Sequence, residues 1–216
     1  MPSANSEGEG VTEEVTRSIL RTSYPEHFGD LESYAEILRT RGIEWGLLGP
    51  READKIWDRH ISNSLALMDV VGQGVDVADI GSGAGLPGIP LALCRDDLRI
   101  TLLEPLLRRY NFLLLAVEEL DLGQRVRVQR LRAEDCDETF DVVTCRAVAP
   151  LEKLLKWTTP IFFPNGELLA LKGAGAEEEI EAARKRLDKC GMTAQVLHVY
   201  AAPGIEGTRA IQVSVN

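Results

Sequence analysis

The pattern of apolar and polar positions changes character near residue 73. Before it, apolar residues recur at steps of three and four. Ile19, Leu20 and Tyr24, then Leu31, Tyr34, Ala35 and Leu38, share one face of a helical pattern over 15–38, broken at Pro25. A second helical run over 52–71 turns Ile56, Ile61, Leu65 and Met68 toward a core. It carries a polar string for a helix about to be buried, Trp57-Asp58-Arg59-His60-Ile61-Ser62-Asn63-Ser64. Beyond residue 73 short apolar runs take over. They predict strands at 76–80, 100–104, 126–130, 140–146 and 167–172, with helices between them at 91–94, 108–120, 151–161 and 176–190. Strands alternating with helices through short loops require a parallel sheet covered on both faces. The last two strand-like runs, 194–200 and 209–215, are joined by eight residues containing Pro203, Gly204 and Gly207. That leaves no room for a crossover helix, so these two strands must form an antiparallel hairpin.

The stretch Val77-Ala78-Asp79-Ile80-Gly81-Ser82-Gly83-Ala84-Gly85-Leu86-Pro87-Gly88-Ile89-Pro90 begins as a strand, turns on alternating glycines and opens a helix. Such a turn lets backbone approach a ligand that a Cβ would block, and the helix start offers unpaired N–H groups. Pro87 suits a first helical turn. Gly83-Ala84-Gly85-Leu86-Pro87-Gly88 fits the dinucleotide pattern G-x-G-x-x-G, a weak signal alone. With Asp79 included, the spacing D-x-G-x-G-x-G resembles motif I of class I methyltransferases that use S-adenosylmethionine. Glu104 ends the next predicted strand, about 20 residues on, where an acid can grip a ribose diol. Both cofactors contain that ribose. The terminal hairpin favours the methyltransferase variant of the doubly wound fold, because a dinucleotide fold more often ends on another βα unit.

Composition narrows the setting. The length suits one α/β domain with an N-terminal extension: an acidic disordered tail at 1–14, helices at 15–72 and a Rossmann-like domain at 73–216. No apolar run is long enough to span a membrane, and no secretory signal opens the sequence. Cys94, Cys136, Cys145 and Cys190 show no metal-binding or disulfide spacing, which points to no metal and a reduced, cytoplasmic setting. The net charge of −10 argues against broad phosphate neutralisation. Arginines nevertheless gather at Arg108 and Arg109 and at Arg125, Arg127, Arg130 and Arg132, so a local basic face is compatible with the sequence.

The string Trp57 to Ser64, the loop Asp79 to Pro90, Arg132-Ala133-Glu134, Cys145-Arg146-Ala147 and Leu171-Lys172-Gly173 occur in this order in the RsmG family, also called GidB. The chain resembles that family over nearly everything after the acidic tail. The Gly-Leu-Pro-Gly-Ile-Pro extension and the Arg-His helix are specific, since generic methyltransferases lack them. The resemblance implies a class I S-adenosylmethionine-dependent fold, mostly parallel with a C-terminal antiparallel hairpin, plus N-terminal helices. It implies methylation of a guanine N7 in the decoding-region loop of 16S rRNA, in the small ribosomal subunit. Gly81 and Leu86 are then expected to contact the methyl donor, with Asp79, Gly83, Gly85 and Glu104 shaping its site. Ala133 and Glu134 border its adenine, and Arg146 lies on the donor and acceptor side. Arg59 and His60 sit over the cofactor mouth as a lid or RNA-facing element, and Lys172 is a candidate phosphate contact. One departure stands out: Gly46-Leu47-Leu48 replaces the family's usual Asn-Leu-Thr.

The expected chemistry agrees with the residues available. Guanine N7 carries an in-plane lone pair, so no base has to remove a proton first, and positioning dominates. No general-base constellation is present. Arg146 is expected to fork onto the guanine edge, a phosphate or the donor's carboxylate; its structural alternative is an ion pair with Asp79 or Glu104. His60 is alternatively a capped, solvated histidine, and Lys172 a strand-end lysine in water. Cys145 invites comparison with pyrimidine C5 methylators, which need a nucleophilic thiol, but a cysteine ending an apolar strand is more often a small core residue. Other readings are a methyltransferase for a small molecule or protein, a non-catalytic RNA-binding factor and a nicotinamide dehydrogenase.

Overall fold

A sheet of seven strands runs through the middle of the protein, in the order β3-β2-β1-β4-β5-β7-β6. The computed structural model describes the backbone of residues 5–215 and the side-chain surroundings of residues 13–215. The strands are β1 (Asp76–Ile80), β2 (Arg99–Leu103), β3 (Val126–Gln129), β4 (Val142–Arg146), β5 (Glu167–Lys172), β6 (Met192–Val199) and β7 (Thr208–Val215). The first five pair in parallel, and β7 runs antiparallel to both β5 and β6. The expected hairpin is therefore present. Beyond a simple hairpin, β7 lies between β5 and β6.

Both faces of the sheet are covered, which is why β1, β4 and β5 are buried almost throughout. One face packs on α4 (Gly88–Cys94) and α5 (Leu107–Glu119), joined by the N-terminal helices α1 (Asn5–Ser23), α2 (Phe28–Ile37) and α3 (Ser62–Leu65). Leu20, Tyr34, Trp57 and Leu65 belong to the same apolar cluster as Leu91, Ile100 and Phe112, so the helices before residue 73 share the sheet's core. The other face packs on α6 (Leu151–Phe162) and α7 (Ala176–Cys190) through Leu154, Phe162, Leu168 and Leu187.

The chain order jumps from β1 outward to β2 and β3 and returns to β4 on the other side of β1. This reversal opens a crevice at the carboxyl ends of β1 and β4, where open α/β sheets take their ligands. The glycine loop follows β1 and Arg146 ends β4, so both motifs arrive at that crevice.

Two expectations for the N-terminal region need correction. The acidic stretch expected as a disordered tail at 1–14 is helical from Asn5 onward; residues 1–4 lie outside the described residues. The anchor is Glu13, which is only 9 % exposed. Its carboxylate accepts from Trp57 N at 3.0 and 3.1 Å and from Asp58 N at 3.0 Å. These N–H groups start a helical turn and have no partner within it. The run expected as one helix over 52–71 divides into a 3-10 turn (Pro50–Lys55), a π turn (Ile56–Ile61) and α3. The helix after the glycine loop begins at Gly88, so Pro87 is its N-cap and not its first residue.

Candidate active site

The loop after β1 turns back across β2. Gly81 N and Ser82 N both donate to Leu103 O, at 2.8 and 3.3 Å. Gly81, Gly83 and Gly85 have φ of +64°, +59° and +93°, the left-handed region that favours glycine. At Gly85 space is also short, because a Cβ would lie 2.3 Å from Ile89 Cδ1. Gly88 permits the helix to sit against the sheet, since a Cβ there would lie 2.4 Å from Leu102 Cδ2. Tyr34 supports the loop from α2, its hydroxyl donating to Ala84 O at 2.7 Å. Leu86 is buried within the turn.

Two carboxylates flank this bend. Asp79 is 0 % exposed, and its Oδ2 accepts from Gly88 N at 3.1 Å. Its Oδ1 is buried without a hydrogen-bond partner. Burial pushes the Asp79 carboxyl up to about 7, against the opposing pull of the Gly88 N–H. Glu104, 1 % exposed, spans two loops: Oε2 accepts from Gly83 N at 3.0 Å and Oε1 from Leu106 N at 2.9 Å. Each oxygen keeps a further lone pair for a hydroxyl. Ala133 is buried in the cluster that includes Ile80 and Leu103, on the short 3-10 turn Ala133–Asp135, with Glu134 exposed beside it.

Arg146 makes neither of the ion pairs weighed for it. Its Nη1 donates to Arg59 O at 3.0 Å and its Nη2 lies 3.0 Å from His60 Nδ1. Among the described residues no carboxylate lies within ion-pair distance of it. Burial lowers its pKa from the ordinary arginine value, with the Tyr34, Asp79 and Glu52 charges opposing. The next residue, Ala147, has φ of +54°, a strained setting for a residue with a side chain. Arg59, Asn63, Arg146, Val148, Lys172 and Thr208 line an adjoining cleft of about 640 Å³.

Two expectations for this rim change, those for His60 and Lys172. His60 is 7 % exposed, so it is neither solvated nor RNA-facing; the π turn directs it inward onto Arg146. Arg59 keeps an exposed side chain on the cleft, with Nη1 3.5 Å from Glu52 Oε1. Lys172 is engaged within the protein, its Nζ donating to Ala149 O at 2.6 Å and Glu179 Oε2 at 2.7 Å. With a side chain only 9 % exposed it braces the cleft wall and is not a free phosphate contact. Cys145 is 1 % exposed, and burial pushes its thiol up to about 12, which leaves no thiolate for nucleophilic chemistry.

Sequence reasoning missed Glu13, Tyr34, Glu52 and Glu179. Tyr34 was legible only as core, and the acids' partners lie in other elements, so no local spacing marks them.

The Asp79 oxygen without a partner and the glycine-lined bend suit a ligand with a cationic amine and a ribose. Comparison with known proteins gives the family. A family model described as GidB, rRNA small subunit methyltransferase G, matches residues 28–207. A protein named ribosomal RNA small subunit methyltransferase G from Streptomyces avermitilis is 52 % identical over 183 residues, covering 83 % of this chain and 76 % of that one. Its namesake from Mycolicibacterium smegmatis is 53 % identical over 173 residues, covering 76 % and 73 %. Among solved structures, precorrin-6y C5,15-methyltransferase from Geobacter metallireducens aligns with a TM-score of 0.54 at 14 % identity, covering 79 % of this chain and 91 % of that one. An O-methyltransferase from Thermotoga maritima described as SAM-dependent aligns with a TM-score of 0.54 at 14 % identity, covering 70 % and 63 %. At that identity the likeness is one of fold. The extent of the family match and the identity to its curated members establish that this chain belongs to the GidB family, the rRNA small subunit methyltransferase G proteins.

Proposed function

We propose that this protein transfers a methyl group from S-adenosylmethionine to N7 of a guanine in the decoding-region loop of 16S rRNA, acting in the cytoplasm on the small ribosomal subunit. The observation that carries the reading is the family match over residues 28–207. When bound, the donor supplies a methyl group made electrophilic by its sulfonium.

The protein's own groups do the holding. Asp79 Oδ1, which lacks a partner, would accept from the donor's ammonium. Glu104 can take the ribose hydroxyls on its remaining lone pairs while staying bonded to both loops. The bare backbone of Gly81 to Gly85 would accommodate the amino-acid end, and Ala133 with Glu134 would border the base. Arg146 lines the cleft and keeps further N–H donors that could orient the guanine edge or an adjacent phosphate. None of these groups has to remove a proton, because the N7 lone pair attacks directly. The protein holds the reacting atoms in line and keeps water out. The net charge of −10 favours a structured particle over naked strands as substrate, with shape-specific contacts in place of general phosphate attraction.

The test is transfer of labelled methyl from the donor to bacterial small subunits, followed by mapping of N7-methylguanine in the 16S rRNA. A single modified guanine in the decoding region is expected. Label on ribosomal protein, at another position of the base, or nowhere overturns the reading.

A further inference from the structure

The acceptor side of this site is organised around a cation held without an anion. The Arg146 guanidinium is fixed at two points by neutral acceptors, Arg59 O at 3.0 Å and His60 Nδ1 at 3.0 Å. Both come from consecutive residues of the π turn Ile56–Ile61. Arginine has donors only, so the contact with Nδ1 requires a lone pair on that nitrogen. The ring proton must then sit on Nε2, and Glu52 Oε2 lies 3.0 Å from it, close but without the alignment of a full hydrogen bond. Ser64 Oγ donates to His60 O at 2.7 Å and fixes the histidine's backbone.

We infer that His60 is a positioning residue for methyl transfer: its Nδ1 lone pair holds Arg146 over the acceptor cleft, and Glu52, facing the opposite ring nitrogen, selects the tautomer that makes this possible. The inference rests on the function proposed above and goes beyond it by assigning His60 a task other than meeting RNA.

The electrostatics agree with the geometry. The charged groups facing His60 are Arg146 from β4, Glu52 from the 3-10 turn and Arg59 from the same π turn. Burial first, and the Arg146 charge second, lower the His60 pKa to about 4, so the ring is neutral at physiological pH. A carboxylate in place of the imidazole would neutralise Arg146 and compete with any electron-rich group in the cleft. A neutral acceptor orients the guanidinium and leaves its charge for the substrate.

The test compares His60→Asn with His60→Gln, because asparagine puts an oxygen near the place of Nδ1 and glutamine puts one near Nε2. On small-subunit rRNA, kcat is expected to fall roughly 10- to 100-fold in His60→Gln and less than about 5-fold in His60→Asn, with the donor's KM changing less than about twofold in both. Equal losses in the two folded variants overturn the inference. A second readout needs no turnover. Two-bond proton–nitrogen spectra of the wild-type protein at neutral pH are expected to show His60 protonated on Nε2, with a hydrogen-bonded Nδ1 that shifts in Arg146→Ala. A proton on Nδ1, or an imidazolium, overturns the assignment even where neither histidine variant folds. Wild-type protein that transfers no methyl to rRNA yet shows this tautomer locates the failure in the proposed substrate and not in the positioning contact.

Discussion

Replacing Asp79 with asparagine separates what the fold wants from what the donor wants. Asp79 is 0 % exposed, and burial moves its carboxyl from 3.8 up to about 7. Between those values the folded chain holds a proton that the unfolded chain has released, so this group's contribution to stability falls as pH rises through the window and levels off above it. At pH 8 the penalty is on the order of 4 kcal/mol, from about 1.36 kcal/mol for each pH unit of the gap. Asparagine removes it and can still accept from Gly88 N, as Oδ2 does now at 3.1 Å. It also places an amide N–H₂ where Oδ1 stands without a partner, and a buried donor left unpaired costs about 1–3 kcal/mol. The donor-free Asp79→Asn protein is therefore expected to be more stable than wild type by about 1–3 kcal/mol at pH 8, and to lie within about 1 kcal/mol of it at pH 5, where the folded aspartate is protonated but the unfolded one is ionised, so only about 1.6 kcal/mol of the penalty has accumulated. Its affinity for S-adenosylmethionine at pH 8 is expected to drop roughly 10- to 100-fold, the worth of one charge-assisted hydrogen bond. Urea unfolding at the two pH values and titration calorimetry with the donor measure both quantities. Equal destabilisation at pH 5 and pH 8, or donor binding at wild-type strength, refutes the reasoning.

Four further outcomes follow from contacts described above. Arg146→Ala is expected to lower methyl transfer by about 100-fold or more, measured with saturating donor, while the far-ultraviolet dichroism stays that of wild type. Cys145→Ser is expected to keep turnover within about twofold, because the thiol is buried and protonated; loss of turnover returns the cysteine to the chemistry. Gly85→Ala must place a Cβ 2.3 Å from Ile89 Cδ1 at a φ of +93°; denaturant unfolding should show a loss of about 2–4 kcal/mol. Lys172→Met takes a donor from Glu179 and Ala149 O, so it should destabilise by about 1–3 kcal/mol without changing the salt dependence of rRNA binding.

Local signals carried the reading where the physics is local. The β1 run, Asp79 and the glycines of the turn lie within ten residues, so the left-handed turn and the Asp79–Gly88 contact are set by neighbours in sequence even though Leu103, Glu104 and Tyr34 brace the loop from elsewhere. The terminal hairpin was legible because a connection too short for a helix permits one geometry. Long-range pairing was not legible. Glu13 meets Trp57 across 44 residues, and Arg146 meets His60 across 86. Residue spacing cannot show that an acid in a polar leader caps a buried turn, or that a histidine expected at the rim faces inward. The face expected for 52–71 is the buried one, with Ile56, Ile61 and Leu65 all in the core, but helical periodicity assumes 3.6 residues per turn and does not show that the π turn Ile56–Ile61 buries Trp57 and His60 as well. Lys172 was misplaced for a related reason: Glu179 follows it by a single loop, but only the docking of α7 makes them neighbours.

The place of β7 has a consequence for biosynthesis. Because β7 threads between β5 and β6, strand β6 is synthesised before the neighbour that holds it in the sheet. A nascent polypeptide cannot finish the sheet until β7 has left the ribosomal tunnel. A frameshift or premature stop upstream of Thr208 therefore removes one strand and casts off another, and leaves the β5 edge open to aggregation.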